Sequence, residues 1–450
     1  MDLREYRKMF VIGMGKSGRA ACALLSRHGY DVTAYDDALG AGTEAELKKL
    51  GVAVAEKDAA VDLLRQSDCV VVSPGVPLDH PLIVEARRAG VPVAGEIELA
   101  FRFTKARVVG VTGTNGKSTT VGIIGAILQK AGVNNVVAGN VGVPLADAVR
   151  EREYDTVVLE LSSFQLDTID EFRADVAVLL NVTPDHLDRY DGSFAAYSAS
   201  KARLLNRATT DTFYVYNADD KVATALAESN PGTSVGFSSS RTLETGVYMD
   251  GGDFVRSWNG ETTHVTERST FSPMGAHNAE NAMAAIAAVI PFGVADSDIV
   301  AALRDYRALP HRMELVRVIN GVAYINDSKA TNVDAAVKSI RSVEHGCVVI
   351  LGGRDKDGDF SQLIALADTV RKGILIGEAT EVIAGALASH WKLEEAGDMQ
   401  DAVRRAAAAT SSGDTVLLAP ACASFDMFEN YEKRGEAFRK CVNQIEDVGT

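Results

Sequence analysis

Cysteine is scarce, with five in 450 residues (Cys22, Cys69, Cys347, Cys422, Cys441), an odd number and no C-x-x-C pair. That excludes a disulfide framework and a zinc ribbon and points to reduced thiols. Long apolar runs are missing too. The longest, Ala282 to Ala295, has 14 residues and contains Pro291 and Gly293, too short for a bilayer core of about 30 Å. The opening segment from Met1 to Lys8 has no apolar core, so no secretory signal is expected there. Positive charge is in deficit: 46 Lys+Arg against 61 Asp+Glu leave a net charge of −15. Such a balance excludes attraction to nucleic acid or anionic membrane through the bulk field. There is no short repeat, which excludes a solenoid. What remains is a soluble cytoplasmic chain with no nucleic-acid partner and no stable membrane insertion, long enough for about three domains.

Short apolar runs alternate with Ala- and Leu-rich segments along nearly the whole chain. Met9–Ile12, Val70–Val72, Arg107–Val111, Thr156–Leu159, Val176–Leu180, Phe213–Tyr216, Cys347–Leu351, Gly373–Ile376 and Thr415–Leu418 read as buried strands. Gly18–Arg27, Thr119–Lys130, Ser193–Leu205 and Asp401–Thr410 read as helices. The alternation predicts an α/β protein with mainly parallel sheets covered on both faces. A more antiparallel patch is expected around Gly246–Thr270. Breaks after Glu96 and near Ala308-Leu309-Pro310, where Pro310 should end a helix, divide the chain into 1–96, 97–308 and 309–450.

The strongest motif runs from Val108 to Thr120, where a strand enters Gly113-Thr114-Asn115-Gly116-Lys117-Ser118-Thr119 and a helix follows. Glycines let backbone N–H groups converge on phosphate, and the helix N-terminus favours the anion. Lys117 would neutralise phosphate charge and Ser118 would sit on Mg²⁺. The match is to a variant phosphate loop, because Val111 stands where the general pattern wants glycine.

Glu160 and His186 follow strand ends, where ligand crevices of parallel sheets lie. Both are candidate Mg²⁺ or phosphate-shell groups. Lys201, read alone, is a solvated helix lysine, and Asn140, Asn278 and Asn281 read as caps or turns. A second phosphate signal, Gly13-Met14-Gly15-Lys16-Ser17-Gly18 followed by Asp36, has the form of a dinucleotide fingerprint. An oxidoreductase using it would leave the second nucleotide loop unexplained. A non-enzymatic P-loop switch would leave Glu160, His186 and the third unit unexplained.

Taken together, the motifs resemble the Mur ligase family. The resemblance is carried by the phosphate loop, Glu160-Leu161-Ser162-Ser163, Asp185-His186-Leu187-Asp188, His277-Asn278-Ala279-Glu280-Asn281 and Leu309-Pro310-His311-Arg312. Ser73-Pro74-Gly75-Val76-Pro77, Asn326 to Asn332, Pro420 to Asp426 and Tyr431 to Gly435 are most similar to the branch that adds D-glutamate. The resemblance implies Rossmann-like outer domains around a central P-loop domain. It implies that ATP phosphorylates the carboxylate of UDP-N-acetylmuramoyl-L-alanine and that the amine of D-glutamate attacks the acyl phosphate, in a monomer that closes over its substrates.

By the same resemblance, Lys117, Glu160, His186 and Lys201 are catalytic. Ser118, Glu160, His186 and a CO2-derived carbamate on Lys201 would hold Mg²⁺, as two ions. ATP would meet Gly113 to Thr119, Asn278, Asn281, Arg312, Asp327 and Lys329. The UDP precursor would meet Gly15, Lys16, Ser17, Asp36, Ser73, Pro74, Gly75, Asn140, Ser162 and His186. D-Glutamate would meet Arg312, Thr331, Lys356, Ser424 and Tyr431, with Ala419 and Tyr431 departing from the usual serine and phenylalanine. Motifs usual in the L-alanine-adding and diaminopimelate- or lysine-adding branches are absent. Folylpolyglutamate synthetase, which also adds glutamate, lacks a Rossmann-like unit ahead of its P-loop.

Overall fold

A computed structural model describes residues 6–273, 275–307, 310–343 and 346–445. The Met1–Glu5 part of the opening segment and the Ala308-Leu309 break lie outside the described residues. Three sheets follow one another along the chain. The first has five parallel strands in the order Ala53–Val54, Asp31–Tyr35, Lys8–Ile12, Cys69–Val72, Val93–Gly95. The second has nine: Glu261–Glu267, Asp253–Trp258, Gly246–Asp250, Thr233–Ser238, Phe213–Asn217, Val176–Leu179, Arg107–Thr112, Thr156–Glu160 and Asn135–Gly139. The third has six: Glu314–Ile319, Val322–Asn326, Thr415–Leu418, Cys347–Gly352, Val370–Ile376 and Leu393–Glu395.

Side chains alternate across each sheet, and both faces are apolar. In the first, Met9, Val11 and Val71 pack on one side while Phe10, Ile12, Val70 and Val72 pack on the other. In the second, Val109, Val111 and Val158 oppose Val108, Val157 and Leu159. In the third, Val349, Leu351 and Leu417 oppose Val348, Ile350 and Leu418. This explains why the strands read as unbroken β-branched runs: each must feed two helix layers at once. The Gly246–Thr270 region is antiparallel as expected, a three-stranded meander on the edge of the parallel sheet.

One expectation fails. The helix Asp296–Asp305 ends well before Pro310. Tyr306 leaves it with φ −64° and ψ 132°. Its ring packs on Phe271 and its hydroxyl donates to the Thr119 carbonyl at 3.3 Å. The helix thus stops where Tyr306 turns extended and packs, ahead of the proline.

Candidate active site

The strand Arg107–Thr112 delivers the chain to the phosphate loop, and the helix Lys117–Lys130 begins directly after it. Gly116 caps that helix with φ +90°. A Cβ there would lie 2.2 Å from Asn281 Oδ1, so glycine is what lets the asparagine reach the loop. Asn181, just past the strand Val176–Leu179, braces the loop by accepting from the Asn115 N–H at 2.8 Å and donating to its carbonyl at 3.1 Å.

Two lysines converge on one oxygen. Lys117 Nζ donates to the carbonyls of Gly113 and Thr114, both at 2.8 Å. Lys201 Nζ, on the helix Phe194–Ala202, donates to the same Gly113 carbonyl at 2.8 Å. Lys201 is 2% exposed, which overturns the solvated-surface reading. Burial first, and then the Lys117 charge, push its ammonium well below the usual lysine range. Burial also lowers Lys117, although Glu160 and Asp185 oppose this.

Glu160 ends the strand Thr156–Glu160. Its Oε1 accepts from Asn140 Nδ2 at 2.7 Å, while Oε2 is buried with no hydrogen-bond partner. Burial raises this carboxyl, but the Lys117 charge, then Ser118, Asn140 and Arg312, outweigh it and hold the group ionised. An ionised carboxylate in the wall of the cavity suits a cation. His186 stands at φ 53°, its ring edge-on to Phe164 at 5.1 Å. Burial pushes the imidazole down to about 4, against the pull of Asp185, so it is neutral and able to ligate. Among the described residues no three His, Cys, Asp or Glu side chains form a metal cluster by themselves. Any cation here would therefore lean on Ser118, modified Lys201, phosphate oxygens or water.

The third unit reaches into this cleft. Arg312 Nη2 donates to Ser118 Oγ at 2.7 Å. Glu160, His186, Lys201, Asn140, Ser162, Arg312, Lys329 and Thr331 all line one cavity with the phosphate loop. Asn278, Asn281 and Asp327 line an adjoining one, together with His277, Lys338 and Ser339. The two asparagines lie inside the helix Ala276–Ala288, buried, and so are neither caps nor turns. Asp327 accepts from the Met313 N–H at 3.1 Å and from Ser339 Oγ, and its burial raises the carboxyl. Lys329 Nζ sits 4.0 Å over the Tyr431 ring and is lowered to about 8 by burial and by Arg312.

Other expected site residues stand beside these cavities or are engaged within the protein. Lys356, Ser424 and Tyr431 line neither cavity. Lys356 instead pairs with Asp185 at 2.9 Å. Ser424 is buried at 2% exposure. Gly15, Lys16 and Ser17 lie at the start of the helix Lys16–Arg27, and Lys16 borders a separate cleft with Arg19, Lys49 and Arg150. Asp36 spends both oxygens on the N–H groups of Met14 and Ala38. Ser73 Oγ donates to the Gly13 carbonyl at 2.7 Å. Pro74 joins the two units, its carbonyl accepting from Arg189 at 3.2 Å. Ser162 forms a capping box with Gln165. Asn181, Tyr197, Asp185, Asn332 and Asp334 were not singled out as site residues. Tyr197 Oη lies 3.1 Å from Thr114 Oγ1, and Asp334 accepts from Asn115 Nδ2 at 2.6 Å. For Asn181, its place directly after a buried strand was the signal available.

A P-loop domain flanked by two α/β units, with the third unit's arginine against the loop, defines a nucleotide-dependent enzyme whose cleft lies between domains. Residues 111–289 match the Mur ligase middle domain, 311–422 the Mur ligase glutamate ligase domain, and 7–95 the Mur ligase MurD-like N-terminal domain. The chain belongs to the Mur ligase family of ATP-dependent amide ligases. It is 44% identical over 450 residues to UDP-N-acetylmuramoylalanine--D-glutamate ligase of Acidobacterium capsulatum, covering 98% of this chain and 97% of that protein. The enzyme of the same name from Myxococcus xanthus is 41% identical, with 98% of each chain covered. In fold it is similar to a pseudomurein peptide ligase type C from Methanothermus fervidus (TM-score 0.63, 19% identity, 98% and 100% covered). It is also similar to Escherichia coli FolC in complex with DHPP and ADP (TM-score 0.58, 18% identity), but over only 77% of this chain and 92% of that one.

Proposed function

We propose that the chain joins D-glutamate to UDP-N-acetylmuramoyl-L-alanine with cleavage of ATP to ADP and phosphate, as a cytoplasmic monomer in peptidoglycan precursor synthesis. The observation that carries this reading is the end-to-end likeness to ligases of that name. The cleft has the parts the chemistry needs. The domain assignment is 1–96 for the UDP precursor, 97–308 for ATP and 309–450 for the amino acid.

The loop from Gly113 to Thr119 cradles the phosphates, and Lys117 and Arg312 take up charge as the γ-phosphoryl group moves to the precursor carboxylate. ADP leaves, the amine attacks the acyl carbonyl, and phosphate leaves. Arg312 and Lys329 bring the third unit over the cleft, which excludes water from the acyl phosphate. Ser118, Glu160, His186 and Lys201 as its carbamate would hold Mg²⁺, whose charge would polarise the phosphoryl oxygens. The unpartnered Glu160 oxygen and the depressed Lys201 ammonium support that set, since a neutral amine takes up CO2 and a protonated one does not.

The test is ADP formation with the precursor and D-glutamate, L-glutamate, L-lysine or diaminopimelate. Turnover that requires both the precursor and D-glutamate is expected. Turnover with another amino acid, or ATP hydrolysis indifferent to D-glutamate, overturns the reading.

A further inference from the structure

Arg434 is 1% exposed, and all its bonds go to neutral oxygens. Nε donates to Ser328 Oγ at 3.0 Å. Nη2 donates to the carbonyls of Ser328 at 2.9 Å and Cys422 at 3.1 Å. Nη1 donates to Ala423 at 3.2 Å and Gly352 at 3.4 Å. Burial pulls the guanidinium down to about 10, so it remains charged at neutral pH. A buried cation bonded only to carbonyls and a hydroxyl is costly, and such a group persists where it fixes something else.

What it fixes is the meeting point of three loops. Ser328 precedes Lys329 and Thr331, and its hydroxyl also donates to the Tyr431 carbonyl at 2.8 Å. Gly352 opens the loop that carries Lys356, and Ala423 precedes Ser424. Gly353, with φ +131°, could bear no side chain, because a Cβ would lie 2.1 Å from the Ala423 carbonyl and 3.0 Å from Arg434 Nη1. Beside the guanidinium, Arg354 and Ala423 exchange two backbone bonds of 2.9 Å, and the Ala421 N–H donates to Ala330 at 2.9 Å.

We propose that Arg434 is the positioning residue of the amino-acid pocket, holding in register the three loops that carry Thr331, Lys356 and Ser424 and the helix turn that carries Tyr431. The proposal rests on the reading of the third unit as the amino-acid site. Only a planar fork with donors in several directions spans Ser328, Gly352 and Ala423 together. A lysine keeps the charge but directs its donors from one atom.

The test is steady-state kinetics of wild type, Arg434→Lys and Ser328→Ala, each substrate varied with the others saturating. The amino acid used is whichever the wild type accepts from the panel above. Arg434→Lys is expected to raise the KM for that amino acid about tenfold or more, with the KM for ATP and precursor within about twofold. Hydroxylamine-trapped acyl phosphate, formed without the amino acid, should keep its wild-type rate. Ser328→Ala, the milder change, should move the same KM in the same direction. An unchanged amino-acid KM in both variants overturns the proposal, as does a parallel rise in all three KM values with loss of acyl phosphate. Wild-type preference for an amino acid other than D-glutamate overturns the substrate assignment and leaves the Arg434 test intact.

Discussion

Lys117 and Lys201 donate to one and the same carbonyl, that of Gly113, each at 2.8 Å. Two ammonium groups on one acceptor repel, and burial, then the Lys117 charge, push Lys201 well below the usual lysine range. Carbamylation of Lys201, as proposed above, would replace that repulsion with an anion in the cavity that Glu160 also lines. Lys201→Ala should lower kcat by about 10³-fold, in the range of losing a transition-state charge group. A short carboxylate such as acetate should restore part of the rate. Near-normal activity of the unrescued variant would sink the assignment.

Asp185 and Lys356 meet across the second and third units at 2.9 Å, and Asn332 Nδ2 donates to the other Asp185 oxygen at 2.9 Å. Burial raises the aspartate, but Lys356, His186 and Asn332 together hold it down at about 2. It therefore stays ionised at any working pH. Asp185→Ala removes both partners of the third unit at once. The unliganded variant should give a larger radius of gyration by small-angle scattering than wild type, with saturating ligands narrowing the gap. Superimposable unliganded profiles would show that this pair does not hold the domains.

The strands were legible because parallel strands buried on both faces leave a strong local signature, as Thr415–Leu418 and Arg107–Thr112 show. The edge strand of the third sheet was not. Glu314–Ile319 mixes charge with exposed Leu315 and Val318, so its composition carries no burial signal. The phosphate loop was legible because its chemistry is contiguous. Asp185 and Arg434 were visible only as members of motifs and Asp334 not at all, since their roles depend on partners 171, 106 and 219 residues away. Lys201 shows the same limit from the other side: nothing in its local sequence separates a buried lysine from a solvated one.

The guanidinium of Arg312 meets Ser118 beside the phosphate loop, which supports the proposed role toward the nucleotide. Arg312→Lys keeps the charge and loses the fork. It should lower kcat/KM for ATP by about 10²-fold while changing the KM for the amino acid by less. A larger effect on the amino acid than on ATP would instead place the fork on the glutamate carboxylate.

Glu96 makes the joint between the first two units sensitive to pH. One oxygen accepts from the Ala146 N–H at 2.6 Å, and the other is buried without a partner. Burial raises the carboxyl to about 7, with the Ala146 bond opposing and Asp147 adding to the rise. In the unfolded chain the group ionises near its ordinary value of about 4.3. Between those two values the folded protein holds a proton that the unfolded chain has released. Stability therefore falls as pH rises through that window, by on the order of 3 kcal/mol in total. Glu96→Gln cannot ionise and keeps the Ala146 acceptor. Its urea midpoint should exceed that of wild type by more at pH 8 than at pH 5, whereas an equal offset at both pH values would show that Glu96 does not titrate in this range.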